Sequence, residues 1–174
     1  MNATYLINAT GLVALVLTVL SLVGTSDKFL RKSTGIASAI WAVNNLLLGA
    51  HTAAALSAVS VGRQASAEAV QTRSARTRLF ACLSFVAVTV VASALTWKGW
   101  TSLATAAGSL LGTWAMFYLR GVGLRLVMVL VAALWMYNAW AYNSWWQMVG
   151  TSASGAAALY GAWRTRAVDG GGAA

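Results

Sequence analysis

The sequence predicts an all-α integral membrane protein: seven transmembrane helices, set as two three-helix bundles of like orientation joined by a linker helix. Three observations carry this. First, only 9% of the 174 residues are charged and 59% are hydrophobic, with a mean hydropathy of +0.70, whereas soluble domains carry about 25% charged residues. Second, seven apolar windows of roughly 16 to 20 residues can each cross a ~30 Å hydrocarbon core. They are 5–24, 33–50, 52–70, 79–97, 101–119, 124–142 and 146–163. Third, the pattern Trp41-x-x-Asn44 in the second window recurs as Trp135-x-x-Asn138 in the sixth. Aligning the two copies overlays the first three spans on the last three, a parallel repeat of the kind that shares a central site near the bilayer midplane. The chain then divides into a first bundle (1–73), a linker helix (74–98), a second bundle (99–166) and a tail (167–174) expected to be disordered.

The net charge of +9 does not point to nucleic acid, because the basic residues are scattered between apolar segments and form no patch on a soluble face. Their placement reads as topology instead. Lys28, Arg31 and Lys32 follow the first span, Arg73, Arg76 and Arg78 the third, Arg120 and Arg125 the fifth, and Arg164 with Arg166 the seventh. These sites lie on one side of a seven-span chain, leaving Lys98 on the other and Arg63 within a span. The positive-inside rule then predicts an outside N-terminus and a cytoplasmic C-terminus in a bacterial inner membrane. The first 24 residues lack a basic n-region and read as a retained span.

In the first span, Asn8, Thr10, Gly11 and Thr18 read as close helix packing. The second carries a polar stripe of Ser38, Trp41, Asn44 and Asn45 that lipid cannot satisfy, so it is expected to face protein or a water-filled cavity. The third is the least apolar, interrupted by His51, Ser57, Ser60, Arg63, Gln64, Ser66 and Glu68; it fits only between other helices or along an aqueous path. Arg63 there is expected to snorkel to the cytoplasmic edge or to find a partner on another helix, because Glu68, five residues on, is badly placed for a same-helix pair.

The fourth span is uniformly apolar and reads as the linker, facing lipid. Its Cys82 reads as a small buried side chain, and a single cysteine forms neither an internal disulfide nor a Cys-x-x-Cys site. In the fifth, Gly108-x-x-x-Gly112 permits close approach of a neighbour. Trp97, Trp100, Trp140, Trp145 and Trp146 read as an interfacial belt, which leaves Trp41, Trp135 and Trp114 as the unusual indoles. The seventh span is built from small residues suited to tight packing.

Gly108, the run Gly112 to Phe117, Arg120-Gly121, Leu124, Arg125, Val127-Met128, Trp135, Asn138 and Trp140 together resemble the bacterial inner-membrane family YgjV, and Arg63 and the basic end of the third span fit its first half. The resemblance implies a fold similar to the PQ-loop group and its SWEET sugar transporters, in which core tryptophan and asparagine residues grip a sugar. The chain departs from those transporters in having no proline, so glycines such as Gly11, Gly108 or Gly112 would have to supply any hinge.

The first functional expectation is a transporter or facilitator of a small, polar, largely uncharged solute, sugar- or nucleoside-like. Trp41, Trp135, Asn44, Asn45 and Asn138 would bind it between the bundles, with indoles stacking and amides hydrogen bonding. Arg63 would instead favour an anionic group. The second is a non-transporting receptor, lipid-binding protein or accessory subunit whose buried amides only join helices. A solvent-reachable pocket between Trp41 and Trp135 favours the first, a filled core the second. One His, one Cys, no paired carboxylates and no phosphate loop argue against an enzyme, and no cofactor or metal is expected. Expected partners are the lipid bilayer, a small solute and, as an option, further copies of the chain.

Overall fold

The computed structural model describes residues 3–171 as seven α-helices: α1 (Ala3–Val23), α2 (Asp27–Leu47), α3 (His51–Ala69), α4 (Ala75–Leu95), α5 (Trp100–Tyr118), α6 (Gly121–Ala141) and α7 (Trp145–Gly171). The apolar windows fall on these helices with displaced ends. α2 begins well before its window because Ser26 caps it, accepting from the Phe29 N–H at 3.3 Å, and Asp27 complements the first turn. α7 outlasts its window, so 167–171 are helical where a disordered tail is expected; the rest of that tail, 172–174, lies outside the described residues.

Among the described residues, three helices are by length and composition apolar enough to cross a membrane: Thr4–Val23 of α1, Ala75–Leu95 and Gly121–Ala141. In α2, α3, α5 and α7 polar side chains dilute the apolar run, and those side chains are largely turned inward. Arg125, Asn45 and Thr105 are wholly buried, while Phe80 is 76% and Leu95 81% exposed. Polar groups inside and large apolar groups outside invert the order of a soluble protein.

Successive helices pack as α1 on α2, α2 on α3, α5 on α6 and α6 on α7, and two further contacts, α3 on α5 and α7 on α1, close these six into a ring. α4 lies outside it, against α3 and α5. The contact order maps onto itself when α1, α2 and α3 are exchanged for α5, α6 and α7.

The two middle helices agree residue for residue. Both are 21 residues long, and the offset that carries Trp41 to Trp135 also carries Asp27 to Gly121 and Leu47 to Ala141, their first and last residues. Both end in the same Schellman turn. Gly49 (φ 72°) donates to Leu46 O and Ala50 to Asn45 O; Asn143 (φ 48°) donates to Trp140 O and Ser144 to Ala139 O. Glycine and asparagine tolerate the left-handed conformation this turn requires. α3 and α7 then start at the same offset.

At the α1–α7 contact a side chain at Gly161 would run into the Leu22 carbonyl oxygen and crowd Arg125. Gly161→Ala is therefore expected to cost about 1–3 kcal/mol, read as a lower melting temperature of the purified protein. Gly123→Ala, with nothing within 4 Å of the added methyl, is expected to leave that temperature unchanged or slightly raised.

Candidate functional site

The ring encloses a cavity of about 160 Å³, close to the ~150 Å³ that admits a benzene-sized molecule. Every helix except α4 lines it. Thr18 of α1 faces it with Gly112 of α5, Trp41 of α2 with Trp135 of α6, and Ser60 of α3 with Ser154 of α7. Each pair is related by the offset that relates the two tryptophans. The correspondence fails at the most polar places: Asn45, Arg63 and Gln64 line the cavity, and the same offset lands on Ala139, Ala157 and Ala158. The α2–α3 flank is therefore the more polar one, although Gln147 of α7, whose equivalent is Ala53, breaks the match in the other direction.

Both matched tryptophans reach the cavity, held differently. Trp41 donates its Nε1–H to Thr18 Oγ1 at 3.1 Å, and its ring edge lies over Gly150, where a methyl group would come within 3.0 Å of Cζ2. Trp135 packs on Gly108, where a methyl would be 3.1 Å from Cδ1 and Nε1. The two glycines of the α5 motif thus open to different neighbours, because Gly112 faces the Arg63 guanidinium. Trp114 is 47% exposed and points away from the cavity.

The asparagines divide. Asn45 lines the cavity, donating to Trp41 O at 2.9 Å and to Ser57 Oγ at 3.4 Å. Asn44 and Asn138 do not line it. Asn44 turns to α1, donating to Ile7 O at 2.8 Å and Thr10 Oγ1 at 3.0 Å, and Asn138 turns to α7, reaching Gln147 Oε1 at 3.5 Å. Helical geometry explains the correction. At 3.6 residues per turn a residue three along is rotated by about 60° to one side of the tryptophan, and one four along by about 40° to the other. In α2 the second position is Asn45; in α6 it is Ala139.

Arg63 does not snorkel. It is 6% exposed and crosses from α3 to α5, donating from Nη1 to Ser109 O at 2.8 Å and Thr113 Oγ1 at 3.1 Å, and from Nη2 to Ser60 Oγ at 2.9 Å. Its Nε has no partner, and neither has Gln64 Oε1 or Asn45 Oδ1. Gln64 and Gln147 are lining residues that sequence reading did not single out. Ser57, Ser60 and Gln64, at spacings of three and four, carried a readable signal of one polar helix face.

Near the end of the cavity marked by Leu22 and Met116, two arginines cross between the triplets. Arg31 of α2 donates to Met116 O at 3.3 Å and Leu119 O at 3.4 Å, at the end of α5. Arg125, at the equivalent place in α6, donates to Gly24 O at 2.7 Å, just past α1. Each also meets a carboxylate, Arg31 with Glu68 at 3.5 Å and Arg125 with Asp27 at 2.8 Å. Asp27 accepts in addition from the Gly121 N–H at 2.9 Å, so its second oxygen sits at the positive end of α6. Sequence reading took Arg31 and Arg125 as topology signals alone, which missed that both side chains turn inward.

A family model described as Imp-YgjV, bacterial inner membrane protein, matches residues 5–167. No curated protein and no solved structure matches the chain.

The two ion pairs differ in burial and length, and their loss should differ accordingly. Asp27→Asn leaves the wholly buried Arg125 without its carboxylate at 2.8 Å and is expected to destabilise by about 1.5–3 kcal/mol. Glu68→Gln, breaking a 3.5 Å contact at a carboxylate 23% exposed, should cost about 1 kcal/mol or less. Thermal unfolding of the two purified variants beside wild type checks the order.

Proposed function

The chain belongs to the Imp-YgjV family of bacterial inner membrane proteins, and on that footing we propose that it transports, or facilitates passage of, a small polar solute through the cavity between its two halves. The observation that carries this reading is the cavity itself. Six helices surround a space lined by Trp41 and Trp135, by small and polar side chains and by Leu22, Met116, Met128 and Val131, in the place where a purely structural protein would have a filled core. The indoles supply flat faces, and Asn45 and Gln64 supply hydrogen-bonding groups.

The same reading has all seven helices crossing the membrane, α4 joining two parallel triplets as in the SWEET transporters. The ring order, the matched ends of α2 and α6 and the exchanged arginines support that relation. So does the inverted burial: helices with too many polar residues to cross alone are stable in lipid when those residues meet inside a ring. Basic residues at one set of helix ends support a cytoplasmic C-terminus and an outside N-terminus. A fluorescent protein fused after Ala174 is expected to mature in the cytoplasm, and alkaline phosphatase fused after Lys98 to be active outside; the opposite pair of results would reverse the orientation.

The alternative, a non-transporting protein with amides used for helix packing, draws support from Asn44 and Asn138, whose side chains do join helices. Flux separates the two. In vesicles reconstituted with the purified protein, isotopically labelled glucose, lactate and phosphate are tested against empty vesicles. At least one is expected to equilibrate faster, and Ala132→Trp, which fills the cavity, is expected to abolish the difference while the protein stays monodisperse. Equal rates for all three solutes would favour the non-transporting reading.

A further inference from the structure

Among the residues that line the cavity, Arg63 is the one that carries a charge. Its protein partners are all neutral: the Ser109 carbonyl and the hydroxyls of Ser109, Thr113 and Ser60. The carboxylates that meet arginines elsewhere, Asp27 and Glu68, are held by Arg125 and Arg31. A cation removed from water without a counter-charge is costly in so apolar a surrounding.

The guanidinium is also incompletely bonded. Of its five N–H donors, the two on Nη1 face α5 and one on Nη2 meets Ser60. The Nε hydrogen has no acceptor, Nη2 has the Ser60 hydroxyl as its one partner for two hydrogens, and Nε and Nη2 share one edge of the planar group. Two parallel donors on one edge form the arrangement that takes a carboxylate or phosphate through both oxygens. Two further groups on the same flank, Gln64 Oε1 and Asn45 Oδ1, are buried without a partner. A hydroxyl carried by the anion, or an exchange of amide oxygen and nitrogen, would satisfy them.

We propose that the cavity binds a small oxyanion, a carboxylate or phosphate group, anchored by the Arg63 guanidinium; this rests on the reading of the cavity as a solute site and replaces an uncharged solute with a charged one. The volume of about 160 Å³ suits an anion of benzene-like size, such as phosphate or lactate, and is too small for a nucleotide. Because the position equivalent to Arg63 is Ala157, there is one anchor and not two. The anion is bound at the α3–α5 side, and the rest of the solute lies toward the tryptophans.

The test is a titration of tryptophan fluorescence with the full chain in detergent micelles, using sodium phosphate, sodium lactate and glucose at matched ionic strength. Phosphate or lactate is expected to give a saturable change and glucose none. Arg63→Gln should weaken the response by about tenfold or more, Arg63→Lys should keep part of it, and Arg78→Gln, outside the cavity, should leave it intact. Wild type that responds to neither anion, or a response undiminished in Arg63→Gln, overturns the proposal. If both Arg63 variants fail to fold, the contrast between anions and glucose in wild type decides.

Phosphatidylglycerol added to the micelles identifies the source. Displacement of bound phosphate assigns the group to a lipid headgroup and no displacement to a free solute; either result supports an oxyanion at Arg63. Anion binding without flux in vesicles keeps this inference and removes transport. Glucose flux with no anion response does the reverse.

Discussion

Two arginines that change sides hold the molecule together. Arg31 begins in the first triplet and ends on the carbonyls at the close of α5; Arg125 begins in the second and ends on the carbonyl just past α1. The last carbonyls of a helix lack intrahelical donors and carry the negative end of its dipole, so a guanidinium satisfies both shortages at once. A buried arginine with only half of its partners would be a heavy liability. The two triplets are therefore fixed by what each supplies to the other's arginine. The same pair ties α2 to the end of α5 and α6 to the end of α1.

Within that frame the cavity is nearly symmetric in shape and asymmetric in chemistry. Small and aromatic residues recur at equivalent positions from both triplets, which shapes a common space, while Asn45, Arg63 and Gln64 appear in the first triplet alone. Shape thus comes from the repeat, and orientation of whatever enters comes from its violation. α4 contributes nothing to the lining. Its outward Phe80, Leu83 and Leu95 suit a helix that packs on α3 and α5 from outside the ring.

Much of this was legible in the sequence. The windows located all seven helices because apolar runs and helix caps are local features. The paired tryptophans pointed to the cavity because two indoles matched in the middle helices have little reason to face lipid. Asn45 lines the cavity as expected, but Asn44 and Asn138 were misjudged because a spacing of three leaves about 60° of rotation, enough to move them to neighbouring helices. Arg63 was expected to reach the membrane edge or to find a partner on another helix, and it does the second. That the partners are Ser109 and Thr113 depends on α3 lying beside α5, a long-range contact that no local pattern reports. Arg31 and Arg125 escaped for the same reason, since their carbonyl partners lie on the opposite triplet.

The joints between these helices are brief, from the two residues between Tyr118 and Gly121 to the five between Ala69 and Ala75. At these joints little chain stands clear of the helices. In the proposed orientation, a neighbour that meets the ring does so largely sideways, through the flanks of its helices, where fatty acyl chains compete for every contact and affinity depends on how well small side chains mesh.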